Sequence, residues 1–230
     1  MSAEFVSDVV VLATAVRQTV CKHPVVGRFV EVAHPIPRPF MGTGDIRLVI
    51  IGQDPTVQRS ESRAAITTVL NLDRGGSLRA YLANLCRDLG IDLDQHVYAT
   101  NACKCFFTDP PTTIVKRDGV DVLAESANLW LPLLVEELAH FPDAFIISLG
   151  EPVLVMLTRP EHRRPMREYW GYDRRWRAGV HLPMHAIDAE ESTVGRRIFP
   201  IVHEPTQRGR RTAFYRERRQ AYLAFIREVM

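Results

Sequence analysis

Three side chains with different proton chemistry each follow a short β-branched run. Asp54, in Gly52-Gln53-Asp54-Pro55-Thr56, follows the run 46–51; Asn101 follows 97–100; His203, in His203-Glu204-Pro205, follows 198–202. A fourth run, 144–149, ends on Gly150-Glu151. In an open parallel sheet the ligand crevice lies beyond the carboxyl ends of the strands, so these positions are where chemistry is expected. A carboxylate, a carboxamide with one acceptor and two donors on a fixed plane, and an imidazole are thus set to converge on one small ligand.

The elements that must position them follow from periodicity. The four runs alternate with longer segments of helical spacing: Leu78, Leu82, Leu85 and Leu89 recur on one such face, and Leu123, Ala127, Leu131, Leu134 and Leu138 on another. Phe214, Tyr222, Phe225 and Val229 give the last segment a similar face. Alternation of this kind predicts a three-layer α/β/α sandwich around a central four-stranded parallel sheet. At 230 residues, 46% hydrophobic and 24% charged, the chain fits one domain, residues 1–230, with one core. Residues 158–197, rich in Arg, Pro and aromatics without a clear period, form an insertion.

Bulk chemistry narrows the function classes. No run approaches the ~20 apolar residues of a membrane span, so a soluble, cytosolic protein is expected. Cys21, Cys86, Cys103 and Cys105 are too few and scattered for a disulfide scaffold, and Cys103 and Cys105 are expected to point to opposite sides of a strand. His181 and His185 have the spacing of a metal pair, but Pro183 between them argues for loop histidines and no metal site. The net charge of +2 conceals two basic clusters. Residues 208–219 hold six arginines against one glutamate, and 159–177 hold seven arginines against three acids, so the remainder is acidic. Two such clusters on an acidic background point to an anionic partner, nucleic acid. Tyr169, Trp170, Tyr172 and Trp176 lie among the arginines of the second, either as a DNA-facing arm or as packing of the insertion onto the core.

The strand and loop Leu48-Val49-Ile50-Ile51-Gly52-Gln53-Asp54-Pro55 resembles the GQDPYH motif of uracil-DNA glycosylases. The resemblance continues in order. Gly75-Gly76-Ser77-Leu78 is similar to that family's PPSL segment, Thr100-Asn101-Ala102-Cys103-Lys104-Cys105 to its TNxxKC strand end, Ile146 to Gly150 to its next strand, and His203-Glu204-Pro205 with Arg208 to a degraded HPSP loop. Together the anchors span about residues 46–210.

The resemblance implies a DNA glycosylase that flips out a pyrimidine and hydrolyses its bond to deoxyribose, with no metal or organic cofactor. Such a reaction builds positive charge on the sugar and negative charge on the departing base. By resemblance, Asp54 stabilises the sugar cation and orients water, neutral His203 donates to O2 of the base, and the backbone N–H of Gln53 adds a second donor. Asn101 reads the Watson–Crick edge of the flipped base. Ser77, Thr206, Gln207, Arg208, Arg210 and Arg211 are the DNA contacts it implies, Gln207 standing about where the family wedges a side chain into the duplex.

The departures point to substrate. The tyrosine that excludes C5-substituted bases is Thr56 here, and the position of the stacking phenylalanine falls near Ile66, beside Thr67 and Thr68. Both changes enlarge the base site, so the expected substrate is a bulky C5-modified pyrimidine, such as hydroxymethylated or glucosylated cytosine in viral DNA, which makes a defence enzyme. Glu204 and Pro205 replace the usual Pro-Ser, and Glu204 or Glu151 becomes an acceptor for sugar hydroxyls on such a base. Cys105 matches one ligand of the iron–sulfur branches, but their Cys-x-x-Cys pair is absent, so no cluster is expected. The alternatives are ordinary uracil repair, an inactive DNA-binding module, and hydrolysis of a free nucleotide. A monomer acting on DNA is expected.

Overall fold

A computed structural model describes residues 3–172, 182–203 and 210–229. In chain order the helices are α1 (Ala3–Cys21), α2 (Ser77–Asp88), α3 (Leu93–His96), α4 (Pro111–Asp118), α5 (Val122–Ala139), α6 (Leu154–Leu157), α7 (Met166–Tyr169) and α8 (Arg210–Val229). The strands are β1 (Val30–Glu31), β2 (Phe40–Met41), β3 (Leu48–Gly52), β4 (Val97–Asn101), β5 (Phe106–Phe107), β6 (Phe145–Leu149) and β7 (Phe199–Ile201).

Five strands make the main sheet, in the order β2-β4-β3-β6-β7, and β1 pairs with β5 separately. The four expected strands are present and parallel, with Gly52 beside Asn101, Ile51 beside Ser148 and Leu149 beside Ile201. The sheet nonetheless has five strands rather than four. β2 adds an antiparallel edge, Phe40 opposite Ala99 and Met41 opposite Tyr98. A two-residue strand carries no period-2 signature of its own and exists only because β4 offers an unpaired edge.

Every residue of β3 and β4 is buried, as in a parallel sheet covered on both faces. Tyr98 on β4 packs against Phe141, ring centroids 4.7 Å apart, and against Phe5 of α1 at 5.8 Å. Phe199 on β7 meets Phe225 of α8. Local signals set the helix ends. Asp121 caps α5 by accepting from the amides of Leu123 and Ala124, and Asp92 does the same for α3. Arg196 then closes the far end of α5, donating to Leu138 O, one of the carbonyls a helix end leaves without an intrahelical partner, and to the carbonyls of Phe141, Pro142 and Ala144 in the turn that follows.

Several aromatics of the insertion pack into the core. Tyr169 and Trp170 are buried, the Trp170 ring stacks on Tyr222 of α8 at 4.4 Å, and its Nε1 donates to Pro200 O on β7. Tyr172 meets Phe214 edge-on. For these three rings packing, not exposure on an arm, is what the fold shows; Trp176 lies outside the described residues.

Candidate active site

β3 runs into the acidic loop without breaking its ties to β4. Ala102 N donates to Gly52 O at 2.8 Å and Cys103 N to Gln53 O at 2.9 Å, so the ladder continues past both strand ends. Asp54 is thereby fixed and half-buried at the sheet edge. Its Oδ1 accepts from Gln53 Nε2 at 2.7 Å and its Oδ2 from Thr56 N at 2.9 Å. Burial raises the Asp54 pKa to about 6, against the opposing hydrogen bonds from Thr56 and Gln53 and the cation of Arg63. The Thr56 hydroxyl is also occupied, accepting from Phe107 N of β5 at 2.8 Å.

Asn101 closes β4 and is only 2% exposed. Its carboxamide lies over Gly52: a Cβ at that glycine would overlap Asn101 Oδ1, so no other residue fits there without displacing the amide. Asn101 Oδ1 is buried and has no hydrogen-bond partner within the protein. An unpaired buried acceptor costs about 1–3 kcal/mol, which a ligand donor would recover.

Behind Asn101 lies a charged network that the sequence reading gave no role. Lys104 Nζ donates to Asn101 O and Thr100 Oγ1, each at 2.8 Å, and lies 2.5 Å from Glu137 Oε1. Tyr98 donates its hydroxyl to Glu137 Oε2 at 2.6 Å. Burial and the adjacent Glu137 carboxylate hold the Tyr98 phenol well above its ordinary pKa. In the sequence only Glu137 gives a signal, a charge on the apolar face of α5 between Leu134 and Leu138.

On the other side of the edge, Gly150 turns with φ +91°, and its N–H donates to Ile201 O at 2.8 Å. A Cβ there would lie 3.6 Å from His203 Cβ, so the turn and the imidazole are neighbours. Tyr81 of α2 donates to Val202 O at 2.7 Å, holding the chain just before His203. The half-buried imidazole has its pKa lowered by burial, which favours the neutral ring. Strand order places Asn101, Asp54, Gly150 and His203 along one edge. β3 and β7 are two strand widths apart, roughly 10 Å, which sets the spacing of the loops that carry the acid and the imidazole.

Other expected positions fall less centrally. Ile66 is buried, its amide bonded to Arg63 O; Thr67 is exposed and bonds Asp73. Ser77 is the exposed first residue of α2. Arg210 and Arg211 open α8, while Glu204, Thr206, Gln207 and Arg208 lie outside the described residues. Glu151 Oε1 accepts from Met166 N at the start of α7. Several arginines of the two clusters also serve the fold: Arg163 bonds Val155 O and Thr158 O, Arg164 pairs with Glu191, Arg218 bonds Trp170 O and Leu182 O, and Arg219 pairs with Asp88. Cys103 and Cys105 do not point apart. They lie beyond β4 with sulfurs 3.7 Å apart, since residues two apart on an extended chain share a face. Among the described residues no cluster of three or more His, Cys, Asp or Glu side chains is disposed to hold a metal ion, and no helix is long and apolar enough to cross a membrane.

A mostly parallel sheet with helices, carrying a desolvated carboxylate, a buried carboxamide and a desolvated imidazole on its carboxyl edge, is an α/β architecture of the kind that binds ligands at that edge. The chain belongs to the uracil DNA glycosylase superfamily, whose sequence model matches residues 39–226. A search of curated proteins found no match. Membership supports DNA glycosylase chemistry in general, with DNA as the substrate polymer.

Proposed function

We propose that the protein excises a pyrimidine bulkier at C5 than uracil, with Asp54, Asn101 and His203 as the working groups. The flipped base lies against Gly52 and Gln53 with its Watson–Crick edge on Asn101, whose buried, unpartnered Oδ1 accepts from it. As the C1′–N1 bond breaks, its electron pair leaves with the base. Neutral His203 and the Gln53 N–H stabilise the charge at O2, and ionised Asp54 stabilises the sugar cation and orients the water whose oxygen joins C1′. An Asp54 pKa of about 6 leaves it ionised at neutral pH and able to take the water's proton.

The observation that carries the substrate reading is Thr56. Its short side chain stands at the family's tyrosine position, and its hydroxyl oxygen accepts from the Phe107 amide. That residue builds the loop and places no ring beside C5. A hydroxymethylated or glucosylated cytosine of viral DNA suits such a site, and a defence role follows from that substrate.

The test is to incubate the protein with oligonucleotides bearing uracil, cytosine, hydroxymethylcytosine or glucosylated hydroxymethylcytosine, and to measure free base and abasic sites, with Asp54→Ala as control. Release of the modified base in preference to uracil is expected. Release of uracil alone would refute the enlarged site, and tight binding without release would identify a DNA-binding module.

A further inference from the structure

Ile66 stands about where the family stacks a phenylalanine, and the structure brings a different residue to the base site. Leu70 Cδ2 lies 3.1 Å from where a Cβ of Gly52 would stand, on the same face of that glycine as Asn101 Oδ1. We propose that Leu70 is the specificity-determining cover of the flipped base, an aliphatic lid in place of an aromatic one. The assignment rests on the glycosylase reading and goes beyond it.

The backbone supports this placement. Leu70 (φ 57°, ψ 15°) and Asn71 (φ 52°) are the described non-glycine residues with positive φ. Asparagine is at home in that region; leucine is not, because its Cβ crowds the following carbonyl. Leu70 packs against the edge of the core without being enclosed by it. The neighbours Val69 and Leu72 are buried and anchor the segment, whereas Leu70 stays half-exposed. The segment is fixed from outside as well, Val69 N donating to Arg38 O and Arg38 N to Thr67 O, each at 2.9 Å. The left-handed turn therefore serves to aim one apolar side chain at Gly52. Strain held in place by its surroundings beside a buried unpaired polar group is the pattern of a ligand site.

A base that reaches Asn101 lies over Gly52, so Leu70 swings off the glycine and comes to rest on the ring. A branched aliphatic cover offers less contact to a flat ring than phenylalanine and yields more readily to a substituent that leaves the ring plane. It lowers affinity for plain uracil while admitting a larger base.

The test compares wild type with Leu70→Ala, Leu70→Asn and Leu70→Phe by steady-state kinetics on oligonucleotides carrying a single uracil or a single modified cytosine. Leu70→Asn retains a residue suited to positive φ, so it separates loss of the cover from loss of the turn. Leu70→Ala and Leu70→Asn are expected to raise KM for the released base on the order of tenfold with kcat little changed, as when a stacking partner is removed. Leu70→Phe is expected to shift the ratio of kcat/KM values towards uracil by about tenfold. Folded variants with unchanged KM and unchanged base ratio would overturn the Leu70 assignment alone. A wild type that releases no base from any oligonucleotide would overturn the glycosylase reading and this assignment with it.

Discussion

The two halves of the sheet edge are held by different means. On the β3–β4 side, ionisable groups add to the backbone ladder: Asp54 is bonded through both oxygens, and Asn101 stands on a Lys104–Glu137–Tyr98 network that is almost wholly buried. On the β6–β7 side the described ties before His203 are neutral, a Gly150 N–H on Ile201 O and a tyrosine hydroxyl on Val202 O. A buried ion pair fixes geometry strongly but is costly to disrupt, whereas backbone ties cost little to weaken. The Asn101 half is thus bound to the stability of the fold, and the imidazole half is more open to change.

The largest effect that would break this contrast is structural. Lys104→Met leaves Glu137 as an unpaired buried charge and is expected to cost about 3–5 kcal/mol in chemical denaturation, much of it restored by adding Glu137→Leu. Equal loss in the double variant would show that the pair does not act as a unit. His203→Ala is expected to slow base release about 10²–10³-fold, the range for losing one donor to a developing anion, while the melting temperature falls less than it does for Lys104→Met. A large drop in melting temperature would erase the distinction between the halves.

A third effect is read through pH. The folded Asp54 pKa of about 6 lies above its ordinary 3.8, so the folded chain keeps this proton where the unfolded chain has lost it. The associated stability is full below about pH 3.8 and is lost as pH rises through about 6. Asp54→Asn, which does not ionise, is therefore expected to gain in melting temperature over wild type on going from about pH 4 to about pH 7.5, while wild-type base release rises through about pH 6. A pH-independent difference between the two proteins would refute the shifted carboxyl. The smallest effect is Tyr81→Phe, which removes the bond to Val202 O and is expected to cost about 0.5–1.5 kcal/mol, with a matching loss of base release through a misplaced His203.

Asp54, Asn101 and His203 were legible because each ends a β-branched run, a local pattern that also reports which edge of the sheet it occupies. The partners that tune them were not. Lys104 and Glu137 lie 33 residues apart, and nothing near either specifies the other. Arg163, Arg164, Arg218 and Arg219 read as free positive charge because composition counts a guanidinium without seeing the carbonyl or carboxylate it meets. Tyr169 and Trp170 read equally well as an arm or as packing until the fold buried them against β7 and α8.

The sequence by itself determined the four parallel strands, the strand-end positions of Asp54, Asn101 and His203 and membership of a glycosylase family, since hydrophobic period and strand-end residues are short-range properties of the chain. Tertiary structure alone decided the fifth strand, the buried charge behind Asn101, the inward turn of the Thr56 hydroxyl and the seat of Leu70 on Gly52. Each of these depends on two distant segments meeting, and on what burial does to the polar and strained groups at the place where they meet.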